Sequence, residues 1–277
     1  MTIPSGSIGE KAEAFLDDAE SALDNGDPET AIDLCSQALA IAPRHPGAHF
    51  VQGDAYRLLG RLEDAADSYR FAALAQPEHA SSWASLSLTL FELLEMENAQ
   101  RAADRAIREA PQNPEGWWVR GLLREWLGDA NGAHRAFAHA RWLDPVAFPF
   151  PPTLTDEEIE QIISDALREL PDALKTYLSN VAIILEDLPP AKVLSSYDPP
   201  ASPVELLGFF SGHSIMEQNS ADPWSQIPPT VVIYRRNIER HARHREELIR
   251  QLRMTLFHEV GHFLGLNEAE LAERGLE

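Results

Sequence analysis

The chain has 277 residues, and its 44 acidic against 23 basic side chains give a formal net charge of -21. This length is typical of one large or two ordinary domains, and a hydrophobic content of 44% supports buried cores, which excludes wholesale disorder. The acidic excess argues against a partner made of nucleic acid, because phosphates require a basic surface.

The chain starts with neither a basic region nor an apolar run, so we expect no signal peptide. No stretch approaches the roughly 18 uninterrupted apolar residues of a membrane span. The single cysteine, Cys35, excludes a disulfide scaffold and falls at a packing position. We therefore expect a cytoplasmic protein that binds no membrane.

The first half of the chain repeats every 34 residues. Proline recurs at this spacing, at Pro43, Pro77, Pro111 and Pro145. Two further registers contain only alanine: Ala31, Ala65, Ala99, Ala133 and Ala38, Ala72, Ala106, Ala140. Two others hold mostly small residues: Ala19, Gly53, Ser87, Gly121 and Gly26, Gly60, Leu94, Gly128. Small residues let paired helices approach closely, and proline prevents the second helix of each unit from continuing.

This pattern resembles the tetratricopeptide repeat, in four copies from about residue 12 to 145. The departures are Ala19 and Ser87 at a usual glycine, and Leu94 at the turn between helices. The resemblance implies an all-α solenoid over residues 1–145, with a concave groove for a protein or peptide ligand. The alternative is a spacer or dimerisation surface.

The inner face of the repeats is expected to be mixed apolar and acidic, which favours a basic or apolar ligand. Its predicted residues are Leu16, Glu20, Leu23, Phe50, Asp54, Arg57, Leu88, Phe91, Leu122 and Glu125.

A proline-rich linker is predicted at residues 146–154. Thr155 and Glu158 then form the pattern of a capping box, which predicts a helix to about Leu170. Beyond it, β-branched and aromatic runs predict three strands, at residues 181–185, 206–210 and 230–234.

Apolar residues recur every four positions from about Ile238 onward and predict a final helix. The basic run at residues 235–245 is expected to be a solvated helix start or a surface that meets the acidic repeats. Residues 155–277 are thus predicted to be an α+β domain.

The final helix contains a His-Glu-x-x-His motif at His258, Glu259 and His262. Histidines four apart lie on one helix face, close enough for both imidazoles to bind one metal ion. Glu259 faces the same cleft without being a ligand and can act as a base. This arrangement is typical of zinc sites in metallopeptidases.

A third ligand is needed to leave one position open for water. Gly265 can end the helix in a left-handed conformation, after which the chain turns back and brings Glu268 toward the metal. Glu270, Glu273 and His213 are the competing candidates for this ligand.

From about Asp156 onward the chain resembles the small bacterial zincin-like metallopeptidase family. Besides the His258 motif, the matching landmarks are Leu170-Pro171, Asn180-Val181, Glu186-Asp187, Pro189, Leu207-Gly208, Pro229, Ile233-Tyr234-Arg235-Arg236 and Leu266. The family has an aspartate as third ligand where this chain has Glu268. The resemblance implies a minimal zincin-like fold, in which the zinc helix packs under a small sheet whose edge could align an extended peptide.

These features together predict a multidomain protein, an all-α tetratricopeptide-repeat solenoid followed by an α+β zincin-like domain. The function expected is that of a zinc metallopeptidase with one Zn²⁺ per chain, Glu259 as general base and a peptide substrate. His213, Tyr234 and Arg236 are candidate donors to the developing oxyanion. The alternative is an interaction scaffold whose zincin-like domain is degenerate and catalyses nothing.

Overall fold

The structure is a computed structural model that describes residues 8–178, 180–212 and 229–274. The chain divides into two compact units, with the boundary between Phe150 and Pro151. This boundary lies inside the segment predicted to be a linker. Each unit has its own hydrophobic core.

The described part of the first unit consists of helices that pack in consecutive pairs, α1 on α2, α3 on α4, α5 on α6 and α7 on α8. Their bounds are α1 (Ile8–Asp24), α2 (Pro28–Ile41), α3 (Pro46–Leu58), α4 (Leu62–Ala75), α5 (Ala80–Glu92), α6 (Met96–Glu109), α7 (Pro114–Trp126) and α8 (Ala130–Leu143). Four helix pairs in this order form the predicted all-α solenoid.

Small residues of the repeat allow the two helices of a pair to meet. Every alanine of the two alanine registers is at most 2% exposed. A β-carbon added at Gly53 would lie 2.7 Å from the ring of Tyr69, so this glycine in α3 makes room for an aromatic side chain of α4. The small residues that recur every 34 positions are therefore the ones at which the two helices of each pair contact each other. Cys35 is fully buried, as its position predicts.

The turn inside each repeat requires a left-handed residue. Gly26, Gly60 and Gly128 have φ of +75°, +70° and +78°, and Leu94 adopts φ +61° at the same register. In this conformation the β-carbon of leucine lies too close to the following carbonyl oxygen, so Leu94 adopts it at a cost of about 1–2 kcal/mol. The turn geometry is thus imposed by the packing of the helix pairs even where glycine is missing.

The predicted inner face is partly wrong. Leu16, Phe91 and Leu122 are only 7%, 2% and 5% exposed and belong to the core, not to a ligand surface. Arg57 forms an ion pair with Glu92 at 2.9 Å, so its charge is already balanced within the solenoid.

The second unit combines helices with one small sheet. Its elements are α9 (Asp156–Glu169), α10 (Asp172–Leu178), β1 (Ala182–Glu186), α11 (Ala191–Leu194), β2 (Gly208–Ser211), β3 (Thr230–Tyr234), α12 (Arg235–His241), α13 (Arg245–Phe263) and α14 (Glu268–Ala272). The capping box predicted at Thr155 and Glu158 is present, with both reciprocal hydrogen bonds. None of the described helices has the length and apolar character needed to span a membrane.

The sheet has the strand order β1-β3-β2, with β1 parallel and β2 antiparallel to β3. The three strands lie at the predicted places, although β2 starts two residues later than expected, at Gly208. The central strand β3 supplies fully buried Val231 and Ile233 to the core. Helix α13 packs on β2 and β3, so it lies against the sheet where β2 forms an edge.

Only the end of the basic run is a solvated helix start, because residues 243–245 are exposed and α13 begins at Arg245. The run folds as α12, which ends at His241, and a separate helix α13 begins after the N-cap His244. In α12 the carboxylate of Glu239 is buried and pairs with both Arg235 and Arg236. Burial also lowers the pKa of Arg240 to about 10. Arg235, Arg236 and Arg240 are thus partly buried, whereas Arg243 and Arg245 are exposed.

Candidate metal centre

Helix α13 places His258 and His262 one turn apart on the same face. Their Nε2 atoms are 3.1 Å apart. The Nδ1 atom of His262 lies 3.2 Å from the carbonyl oxygen of Leu266. When Nδ1 donates its proton to this carbonyl, Nε2 keeps its lone pair for a metal ion. The chain segment after the helix thus orients one of the two candidate ligands.

The end of α13 returns the chain to these histidines. Gly265 has φ +88°, and its N–H donates to the carbonyl oxygen of His262 at 3.0 Å. The N–H of Leu266 donates to Gly261 at 3.0 Å, which completes the helix end. Asn267 then caps α14, and Glu268 becomes the first residue of that helix.

Glu268 lies beside both imidazoles. Its Oε1 is 3.3 Å from Nε2 of His262, and its Oε2 is 3.6 Å from Nε2 of His258. One ligand atom from each of the three residues can be chosen so that all lie within 4.8 Å of one another. Donors around a tetrahedral zinc ion, bonded at about 2.0–2.2 Å, are about 3.3–3.5 Å apart. The separations of 3.1, 3.3 and 3.6 Å among the two Nε2 atoms and the two carboxylate oxygens are close to this range. The three side chains therefore fit a zinc ion and leave one ligand position open.

The other candidates for a third ligand have different positions. Glu270 accepts a hydrogen bond from the backbone N–H of Asn267 at 2.9 Å and thereby completes the capping box of α14. Glu273 is not part of the described group of metal-ligating side chains. His213 lies outside the described residues.

Glu259 lies on the side of α13 that faces strand β2. Its side chain is only 6% exposed. Burial and, to a smaller extent, the charge of Glu268 raise the pKa of its carboxyl group to about 8, although a hydrogen bond from the backbone N–H of Phe210 opposes them. Glu259 is therefore held next to the histidines in an environment that favours the protonated carboxyl.

The structure places two candidate oxyanion donors in other interactions. Arg236 pairs with Glu239 at 3.1 Å and lies 3.6 Å from Asp187. Tyr234 is 1% exposed, and its burial raises the pKa of the phenol. Arg236 is thus partly exposed and ion-paired, whereas Tyr234 is buried and the charge of Glu259 contributes to its raised pKa.

Tyr197 is a residue near the site that the sequence did not indicate. Burial raises the pKa of its phenol to about 12, and the charges of Glu259 and Glu268 contribute to this shift. Its ring packs edge-on against Phe209 of β2, with 6.2 Å between ring centroids. No motif or spacing connects Tyr197 with His258, so only the folded chain could reveal this proximity.

Comparisons with known families agree with the two units. A model of the zincin-like metallopeptidase family matches residues 178–276, and a tetratricopeptide-repeat model matches residues 16–80 and 59–114. The chain therefore combines a tetratricopeptide-repeat region with a zincin-like metallopeptidase domain, which confirms the predicted resemblance and fold class. The helix pair α7 and α8 lies beyond the matched repeats.

Single proteins match smaller parts of the chain. The heat-shock protein cognate (HSC) co-chaperone sgt12 of Aspergillus fumigatus is 32% identical over 92 residues, which are 33% of this chain and 27% of that protein. The chain thus spans about a quarter of this curated relative.

Solved structures with similar folds include MamA, at 21% identity and a TM-score of 0.45, over 48% of this chain and 78% of that one. Pseudomonas aeruginosa PilF has 20% sequence identity and a TM-score of 0.47, over 50% of this chain and 63% of the PilF chain. The first TPR of Spaghetti (RPAP3), bound to the HSP90 peptide SRMEEVD, has 18% identity and a TM-score of 0.42, over 43% and 95%.

Proposed function

We propose that this protein is a zinc-dependent peptidase whose repeat domain recruits a substrate or partner. The observation that carries this proposal is the convergence of His258, His262 and Glu268, with the buried Glu259 beside them. The match of the second unit to zincin-like metallopeptidases supports the same chemistry.

His258 and His262 would hold the zinc ion through Nε2, and Glu268 through a carboxylate oxygen. A bound zinc ion supplies a Lewis acid for the substrate carbonyl and lowers the pKa of water to about 7. Glu259 would accept a proton from the attacking water at its carboxylate and return it to the nitrogen of the leaving amine.

Tyr197 would donate its phenolic proton in a hydrogen bond to the oxyanion that develops on the substrate. Burial and the charges of Glu259 and Glu268 raise the pKa of its phenol to about 12, which supports a protonated donor close to both carboxylates. A neutral donor near a site of developing negative charge stabilises the transition state.

The repeat domain would bind a protein or peptide in the groove of its solenoid. The match to tetratricopeptide repeats supports this part of the proposal, because stacks of such repeats form extended concave surfaces. The strongly acidic composition of the chain favours a ligand of basic or apolar character.

Metal analysis and one substitution test the proposal. Protein purified without chelator should contain about one zinc ion per chain, and His258→Ala should lower this content. Glu259→Gln should retain zinc and abolish cleavage of a peptide library. An absence of zinc, or cleavage by the Glu259→Gln variant at the parental rate, would contradict the peptidase proposal. The protein would then be better explained as an interaction scaffold that catalyses nothing.

A further inference from the structure

A cleft of about 210 Å³ opens beside the candidate metal centre in the second unit. Residues 206–208 line one part of it, and Met254 and Thr255 of α13 line another. His258 and Glu259 also contribute to its lining. A group bound in this cleft would therefore contact both a proposed zinc ligand and the proposed general base.

The wall formed by residues 206–208 is held in place by buried hydrogen bonds. Asn237, which is fully buried, donates through Nδ2 to the carbonyl oxygens of Leu206 at 2.8 Å and Pro203 at 3.0 Å. The backbone N–H of Tyr234 donates to the carbonyl oxygen of Leu207 at 2.8 Å. These three hydrogen bonds fix the backbone of this wall, as is usual for largely preformed binding pockets.

The chemistry of the lining selects against acidic groups. Leucine side chains and Met254 supply apolar surface, whereas Glu205 and Glu259 are the acids and no lysine or arginine is among the described lining residues. A carboxylate on the bound side chain would lose water and lie beside the acids Glu205 and Glu259. For comparison, an apolar cavity of about 150 Å³ accommodates benzene. The cleft is thus large enough for a leucine, methionine or phenylalanine side chain.

We infer that this cleft is a substrate pocket, which binds an apolar side chain of a residue adjacent to the peptide bond that is cut. The inference rests on the proposed peptidase function and specifies its substrates. Met254 is the residue that shapes the pocket without taking part in the reaction, because it lies one turn before His258 in α13. Its size should determine which apolar side chain is preferred.

Binding can be measured without any cleavage. The full chain as purified, labelled with ¹³C at the methionine methyl groups, is titrated with N-acetyl-leucinamide or N-acetyl-aspartamide, and Met254 is assigned by the signal lost in Met254→Leu. We expect the methyl resonance of Met254 to shift with the leucine compound alone, while Met96 in α6 serves as an internal control. If the methyl resonance of Met254 does not shift, or shifts equally with both compounds, the inference of an apolar substrate pocket is wrong.

Cleavage of a peptide library then tests the preference. The parent should cut beside leucine, methionine or phenylalanine, and Met254→Phe should reduce cutting beside phenylalanine relative to leucine by about tenfold or more. Met254→Ala should change the preference in the opposite direction, and Met96→Phe should leave it unchanged. A preference for charged residues that ignores Met254 would overturn the inference. If no peptide is cut while Met254 still responds to the leucine compound, the peptidase proposal fails but the apolar binding site stands.

Discussion

A β-carbon at Gly208 would lie 2.8 Å from Oε1 of Glu259. The same atom would also lie 2.8 Å from Cγ2 of Thr255, so the space beside the strand is filled from two sides. The buried carboxylate of Glu259 can therefore lie against β2 only because residue 208 has no side chain. The position of the proposed general base thus depends on a glycine about 50 residues earlier in the chain.

Gly208→Ala should displace Glu259 and lower kcat/KM by about 100-fold, which is typical when a reacting group is misplaced by about 1 Å. The zinc content should not change, because the three atoms nearest to the added β-carbon belong to Glu259 and Thr255 and not to a proposed ligand. Adding Thr255→Ser, which removes the Cγ2 methyl, should restore part of the activity. Parental activity in Gly208→Ala would show that this contact does not position Glu259.

Glu268→Gln should weaken zinc binding by about tenfold or more, since a neutral amide replaces a carboxylate beside two imidazoles. Competition with a chromophoric chelator measures the affinity. Glu273→Gln is the matched control, because it removes one charge from the same segment outside the cluster. If both variants lose the same affinity, Glu268 acts through its charge alone and is no ligand.

Tyr197→Phe should lower kcat by about 10²-fold, the typical effect of removing one donor to an oxyanion. Zinc content and KM should remain close to those of the parent, because the ring that packs on Phe209 is retained. Tyr177→Phe is the control, as Tyr177 is 53% exposed in α10. An unchanged kcat in Tyr197→Phe would remove this residue from the mechanism.

The buried pair of Asp54 and Tyr69 predicts a pH dependence of stability in the repeat unit. The Tyr69 hydroxyl donates to Oδ1 of Asp54 at 2.6 Å. Burial raises the pKa of Asp54 above its ordinary value of 3.8, although the bond from Tyr69 opposes this. The folded state thus holds the proton more tightly than the unfolded state. Its stability falls as the pH rises from below 3.8 through the raised pKa.

Asp54→Asn removes this charge and keeps an acceptor for Tyr69, so its stability relative to the parent should increase as the pH rises from 3.8 through the raised pKa of Asp54. Asp54→Ala removes the acceptor as well and should be less stable than Asp54→Asn by about 1–3 kcal/mol, the typical cost of a buried donor left without an acceptor. Urea unfolding followed by tryptophan fluorescence measures both, because five of the six tryptophans lie before residue 151. If the difference in unfolding free energy between Asp54→Asn and the parent does not vary with pH, the pKa of Asp54 is not raised in the folded state.

The sequence alone predicted the features that depend on local spacing. The 34-residue period predicted the helix pairs, because each repeat packs its small residues in the same way. The spacing of His258 and His262 predicted one helix face, and Gly265 predicted the turn that brings Glu268 back. In each case the residues involved are near one another in the chain, so backbone geometry relates them directly.

Only the tertiary structure decided the contacts between distant segments. It placed Tyr197 near Glu259 and Gly208 against the carboxylate of Glu259. It also divided the basic run between α12, which contains the buried Glu239, and α13. These relationships follow from how α13 packs on the sheet. The amino-acid pattern of one segment contains no information about which distant side chain will fill the space beside it.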